Sequence, residues 1–163
     1  TVRIEKDGTI SVRGPCRFLG YLKDDEITQP FDEQGWFNTK DLGGWTSDGY
    51  LCILGRKDNV FICGGENIQP EEIENFIMSS EYVDKAVVMP VEDEEFGHIP
   101  IAFVKFTEKN REEQLMDYLK KKISGLKIPR AFYPLPRELE GKGIKVLRKE
   151  LNYWINHVQK EKH

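Results

Sequence analysis

No apolar run in this sequence approaches the roughly 20 residues needed to span a bilayer. The opening residues also lack the basic-then-apolar pattern of a secretory leader. Both absences argue for a cytoplasmic protein with no membrane span. Cysteine is scarce: Cys16, Cys52 and Cys63 are odd in number and lack CxxC spacing. That argues against a disulfide framework or a thiolate metal site and for a reducing compartment. His98, His157 and His163 are too scattered to form a metal centre, so none is expected. Positive charge is not in excess, with 24 Lys and Arg against 28 Asp and Glu. A nucleic-acid partner is therefore disfavoured. Internal repeats and low-complexity segments are missing as well.

What is present is a globular mixture of 39% hydrophobic and 32% charged residues in 163. The first stretch, TVRIEKDGTISVRG, alternates Val2, Ile4, Ile10 and Val12 about an Asp7-Gly8 turn and reads as a β-hairpin. It starts on Thr1 inside a strand pattern, which leads us to expect a piece cut from a larger sheet. Residues 14–35 show neither helical nor strand period and read as loop. Residues 43–56 form a second hairpin about Asp48-Gly49. Cys52 and Cys63, in apolar strand-like runs, are expected to fill core positions.

After residue 58 the pattern changes to an α+β one. Residues 59–63 are a short apolar strand, and Pro70 opens a helix with Ile73, Phe76 and Ile77 on one face. Lys85–Val91 and Ile99–Phe106 are strands. Asn110 is placed to cap a helix with Leu115, Leu119 and Ile123, and a short strand follows at Ala131–Tyr133. Leu147, Leu151, Trp154, Ile155 and Val158 give a last helical stripe. The order β-α-β-β-α-β-α predicts a compact α+β domain. Glu71, Glu72 and Glu74 read as acidic residues favouring a helix N-terminus.

Three blocks occur in order: GWFNTKDLG, GYLCILGRKDNVFICGGENIQPEEIE and GIKVLRKEL. Together they resemble the C-terminal third of the adenylate-forming superfamily, which contains acyl-CoA synthetases, peptide-synthetase adenylation domains and luciferases. Within it, the EFGHIP run, Thr39-Lys40-Asp41 and the GIK ending are most similar to the o-succinylbenzoate–CoA ligases of menaquinone synthesis. The resemblance implies a small C-terminal lid, residues 58–163, preceded by the β-rich tail of a large N-terminal domain, residues 1–57. It places a hinge at Lys57-Asp58. The family's phosphate-gripping loop and most of its acyl pocket have no counterpart here, so this stretch alone is expected to be inactive without that N-terminal domain.

The implied partners are a small carboxylic acid, ATP with Mg2+, and coenzyme A, as substrates rather than tightly bound cofactors. Asp41 matches the aspartate that accepts hydrogen bonds from both ribose hydroxyls, a task for two neighbouring acceptor oxygens. As a bare motif it would be a turn residue. The family more often has glycine where Lys40 stands, which leaves the local loop shape open. Arg56 matches the arginine near ribose and phosphate, and Asp58 the hinge. Gly64 and Gly65 match the glycines beside the coenzyme A channel; as a lone pair they would mean a turn. In GKGIKVLRKEL the adenylation lysine is Lys145, which keeps the family spacing to Arg148 and Leu151. Lys142 has the preceding glycine but the wrong distance to the helix, and remains the alternative. Other readings stay open: a different acyl-CoA synthetase or adenylation domain, or a non-catalytic binding module with the same lid fold.

Overall fold

The structure, a computed structural model, describes residues 1–109, 111–141 and 144–158, with the side chains at 144–147 and 156–158 outside the description. The chain divides into two compact units, Thr1–Asn59 and Val60–His163.

The first unit is a four-stranded antiparallel sheet and a small separate hairpin. The sheet contains β1 (Val2–Ile4), β2 (Thr9–Val12), β5 (Phe37–Trp45) and β6 (Leu51–Arg56), in the order β1-β2-β5-β6. The two expected hairpins are present. The separate hairpin, β3 (Tyr21–Lys23) with β4 (Glu26–Thr28), occupies a segment expected to be loop. Its turn residues, Asp24 and Asp25, both have left-handed φ (50° and 63°). Aspartate tolerates that region, so the turn forms without the glycine that usually announces it. The core of this unit is slight. Ile10 and Trp36 are its buried apolar side chains, and the guanidiniums of Arg3 and Arg13 lie over the Trp36 ring at 4.3 and 4.7 Å. Cys52, expected inside, is exposed along with Ile53 and Leu54. β6 is the edge strand of its sheet, and among the described residues no second layer covers its middle.

The second unit is α+β. Its strands are β7 (Phe61–Cys63), β8 (Glu66–Ile68), β9 (Val83–Asp93), β10 (Gly97–Phe106) and β11 (Phe132–Pro134). Its helices are α1 (Pro70–Met78), α2 (Glu112–Lys120) and α3 (Ile144–Val158). β8 was not expected; the other elements follow the anticipated order. The long β9–β10 hairpin is the centre of the sheet. The far edge of β10 takes β7 at Gly97 and, in parallel, β11 from Ala102 to Val104.

Strand alternation explains how both faces of this sheet are buried. Ala86, Val88, Ala102 and Val104 point to one side, where they join Ile73 and Ile77 of α1 and Leu115 and Leu119 of α2. Val87, Met89, Ile101 and Phe103 point to the other, where they meet Leu135, Leu139 and Leu151 and Ile155 of α3. Cys63 is buried in the first cluster, as expected. Trp154, assigned to the apolar stripe of α3, is instead 43% exposed. The expected cap Asn110 lies outside the described residues, as do the side chains of Leu147 and Val158.

Candidate adenylate-forming site

The residues assigned to nucleotide binding meet on the β5–β6 hairpin. Asp41 and Arg56 are direct cross-strand partners. Arg56 Nη1 donates to Asp41 Oδ1 at 3.0 Å and to the Thr39 carbonyl at 2.9 Å. Its Nη2 reaches Asp58 Oδ2 at 3.5 Å, so one guanidinium joins three of the candidates. The pair is open to solvent, with the Arg56 side chain 44% and the Asp41 side chain 31% exposed.

Local backbone shape aims this pair. Lys40 sits at φ +64°, in the left-handed region where glycine is at ease. The departure from the family's glycine therefore leaves the loop in a glycine-like conformation, held by side chains. Asn38 Oδ1 accepts from the Lys40 N–H at 2.9 Å, and Thr39 Oγ1 accepts from the Asp41 N–H at 3.0 Å. Thr39 Oγ1 in turn donates to the Ile10 carbonyl at 2.9 Å, tying the loop to β2. Next to it the register slips between Leu42 and Gly43. A Cβ at Gly43 would stand 2.6 Å from Ile10 Cδ1 and 2.7 Å from the Cys52 carbonyl, so only glycine fits there.

Lys57 and Asp58, the expected hinge pair, lie in a 3-10 turn, Lys57–Asn59. Lys57 Nζ contacts Asp7 Oδ2 at 2.7 Å. Lys57, with help from Thr9, holds the Asp7 carboxyl well below the usual carboxylate range. The turn is thus fastened to β2's hairpin from one side and to Arg56 from the other.

In the second unit, Gly64 and Gly65 are the two-residue turn of the β7–β8 hairpin, with φ +56° and +86°. Both values lie in the left-handed region that favours glycine, as in a type I′ turn. The Gly64 N–H donates to the Phe96 carbonyl at 2.9 Å, and a Cβ at Gly64 would press to 3.0 Å from the Phe96 ring. Above Gly65 the space within 4 Å is open. Lys145 is the second residue of α3; its side chain lies outside the described residues, and Lys142 does so entirely.

One buried polar cluster was not anticipated. Glu74, read as a helix N-terminal acid, is 2% exposed and paired to Arg148. Arg148 Nη2 reaches Glu74 Oε1 at 2.6 Å, and its Nη1 donates to the Val88 carbonyl, also at 2.6 Å. Glu74 Oε1 accepts from the Val88 N–H at 2.7 Å, so the pair satisfies both backbone groups of one strand residue. Glu71 Oε1 lies 3.4 Å from Arg148 Nη2. Burial pushes the Glu74 carboxyl up to about 7, against the opposing pull of the Arg148 charge and the Val88 N–H. The sequence did hold a signal. Buried positions 70, 73, 74 and 77 of α1 are spaced as one helical face, and Glu74 stands on it.

Residues 72–143 match the AMP-binding enzyme C-terminal domain. Over those residues the chain is similar to the C-terminal portion of the adenylate-forming superfamily. It is 47% identical over 149 residues to a 2-succinylbenzoate–CoA ligase of Haemophilus influenzae, covering 90% of this chain and 32% of that protein. A 2-succinylbenzoate–CoA ligase of Bacillus licheniformis is 34% identical over 160 residues, covering 93% and 34%. Among solved structures, E. coli MenE with a bound analogue of OSB-AMS superposes with a TM-score of 0.80 at 31% identity, covering 96% of this chain and 34% of that one. The o-succinylbenzoate CoA synthetase of Bacillus subtilis, in complex with the acyl-adenylate intermediate OSB-AMP, gives 0.76 at 32%, covering 93% and 33%. The chain thus spans about a third of the length of the relatives it matches. Among the described residues no helix is long and apolar enough to cross a membrane.

Proposed function

We propose that this chain is the C-terminal part of a cytoplasmic, AMP-forming o-succinylbenzoate–CoA ligase, an acid–thiol ligase of menaquinone synthesis. The observation that carries the reading is the solvent-open Asp41–Arg56–Asp58 cluster on one hairpin, in a chain 47% identical to a ligase of that name. In the first half-reaction the acid's carboxylate attacks the α-phosphorus of ATP. A new P–O bond forms, the bond to the β-phosphate oxygen breaks, and pyrophosphate leaves. In the second, the thiol of coenzyme A attacks the acyl carbon, its proton is lost, and AMP departs.

Each candidate residue suits one task. Asp41 accepts from the ribose hydroxyls, offering two oxygens to two donors. Arg56 supplies a planar donor fork near ribose and phosphate, and holds Asp41 in place until the nucleotide arrives. Lys145 would supply a cation to meet the charge that builds on the phosphoryl oxygens. The Gly64-Gly65 turn gives backbone without side chains for the thin arm of coenzyme A. Asp58 is the hinge between the large domain's tail, residues 1–57, and the lid, residues 58–163. Mg2+ would come with ATP. Among the described residues no group of three or more His, Cys, Asp or Glu side chains could hold a metal.

The test is a pair of half-reaction assays on the full-length enzyme. Pyrophosphate release with ATP should require o-succinylbenzoate, and K145A should lower it about 10²–10³-fold, the usual effect of removing one preorganised donor. Thioester formation from preformed acyl-adenylate should survive. Activity only with another acid would reassign the substrate. An enzyme with no pyrophosphate release from any acid, yet able to bind ATP, would favour the binding-module reading.

A further inference from the structure

The GKGIK segment sets a mechanical problem. A lysine that must meet a developing charge follows a stretch broken by Gly141 and Gly143. Glycine multiplies the conformations available to such a segment, and loose placement forfeits most of a catalytic contact. The folded chain answers with anchors on both sides. Upstream, Glu140 is held by the two central strands: Lys105 Nζ contacts its carboxylate at 3.0 Å and Lys85 Nζ donates to its carbonyl at 2.9 Å. Downstream, Arg148 is the fifth residue of α3 and fastens that helix to β9 and α1 at once. Lys145 lies between these anchors, three residues before Arg148, less than one helical turn.

The downstream anchor engages both terminal nitrogens of Arg148, although its buried Nε has no hydrogen-bond partner. Among the described residues β9 is an edge strand, paired only to β10, so Val88 would otherwise present a bare N–H and carbonyl to the side. Glu74 takes the N–H and Arg148 the carbonyl, while the two side chains bind one another. A guanidinium can reach a carbonyl and a carboxylate together because its donors form a rigid fork; an ammonium cannot hold both lines with the same geometry. The arrangement therefore fixes both the rotation and the axial position of the first turn of α3.

We propose that Glu74 and Arg148 are positioning residues of the adenylation half-reaction, locking the first turn of α3 to the sheet edge so that Lys145 is presented in one place. The proposal rests on the reading of Lys145 as the adenylation lysine. A purely structural pair would support the whole unit, and its loss would lower both half-reactions together. A positioning pair acts through Lys145 and touches only the half that uses it.

The experiment uses full-length enzyme, with pyrophosphate release from ATP and o-succinylbenzoate as one readout. Thioester formation from preformed acyl-adenylate is the other. R148K keeps the charge and removes the fork. It should lower adenylation about 10²-fold, the scale expected for a misplacement near 1 Å, and leave thioester formation within about twofold. E74Q, which keeps an acceptor oxygen for Val88 and Arg148, should hold adenylation near wild type, whereas E74A should not. The decisive measurement is the double variant. If Arg148 acts through Lys145, adding R148K to K145A should change adenylation by no more than about twofold. Full additivity of the two losses, or a fall of both half-reactions in step with melting temperature, overturns the clamp while leaving Lys145 as the adenylation lysine. A K145A enzyme with undiminished adenylation removes the lysine reading and, with it, anything for the clamp to position.

Discussion

Two arginine–carboxylate pairs in this chain have nearly the same chemistry and opposite settings. Arg56 and Asp41 meet at 3.0 Å on a hairpin, with a third to nearly half of each side chain in water. Arg148 and Glu74 meet at 2.6 Å beneath α3, where Arg148 is 12% exposed and Glu74 2%. An exposed pair contributes little to stability, because water screens it and competes for both partners. That weakness suits the role proposed for Asp41, whose carboxylate would let go of its arginine and take up a ribose. A buried pair gains most when every remaining donor and acceptor is satisfied, and it is costly to break. That permanence suits a joint. Arginine beside an acid is therefore ambiguous as a motif, and exposure decides which of the two it is.

The largest effect should come from breaking the joint. R148A removes the partner of a buried carboxyl and leaves the Val88 carbonyl bare. Breaking such a pair typically costs about 3–5 kcal/mol; the lower end applies here, because Glu74 can take up a proton once alone. Urea unfolding of the full chain should show it, and a loss below about 1 kcal/mol would place this pair with the exposed ones. The second effect is a pH dependence. Folding raises the Glu74 pKa from 4.5 to about 7, so the folded state holds a proton that the unfolded state releases. Burial of the charged form thus penalises folding above pH 7, and the penalty vanishes as pH falls toward 4.5. E74Q carries no such charge. Its stability relative to wild type should be most favourable near pH 8 and decline toward pH 4.5, by roughly 2–3 kcal/mol in all. A pH-independent difference would mean that Glu74 titrates normally. The smallest effect on stability belongs to the open pair. D41N should change unfolding free energy by less than about 1 kcal/mol. It should nevertheless raise the full-length enzyme's KM for ATP about tenfold, as loss of a charge-assisted acceptor would. A stability loss without a change in KM would make Asp41 a turn residue.

The legible parts of the fold were those whose cause is local. Asp7-Gly8 and Asp48-Gly49 announce their hairpins, and Pro70 with the Ile73–Ile77 spacing announces α1. The β3–β4 hairpin was hidden because its turn is Asp24-Asp25 and its strands are exposed on both faces, so neither glycine nor alternation marks it. β8 was hidden by its brevity, and the Gly64-Gly65 turn was seen without the second strand it joins. Cys52 was misjudged because an apolar run shows that burial would be favourable, not that a covering layer exists. In the site, Asp41, Arg56 and Asp58 were named from the blocks they belong to, and the hairpin register brings them together. Glu74 and Arg148 are 74 residues apart, and nothing local in either segment encodes their meeting. Lys40 shows the converse: a glycine-like backbone can be kept by neighbouring hydrogen bonds where glycine itself is absent.

The cover that α3 gives to one face of the sheet has a consequence for how the protein is made. Val87, Met89, Ile101 and Phe103 emerge from the ribosome well before Leu151 and Ile155, the side chains that shelter them. Until then the nascent chain displays an apolar sheet face, a natural substrate for chaperones. Translation that stops before residue 144 would leave that face covered only by Leu135 and Leu139 and would also omit Lys145. Completion of the core and delivery of the proposed adenylation lysine are thus written into the same stretch of message.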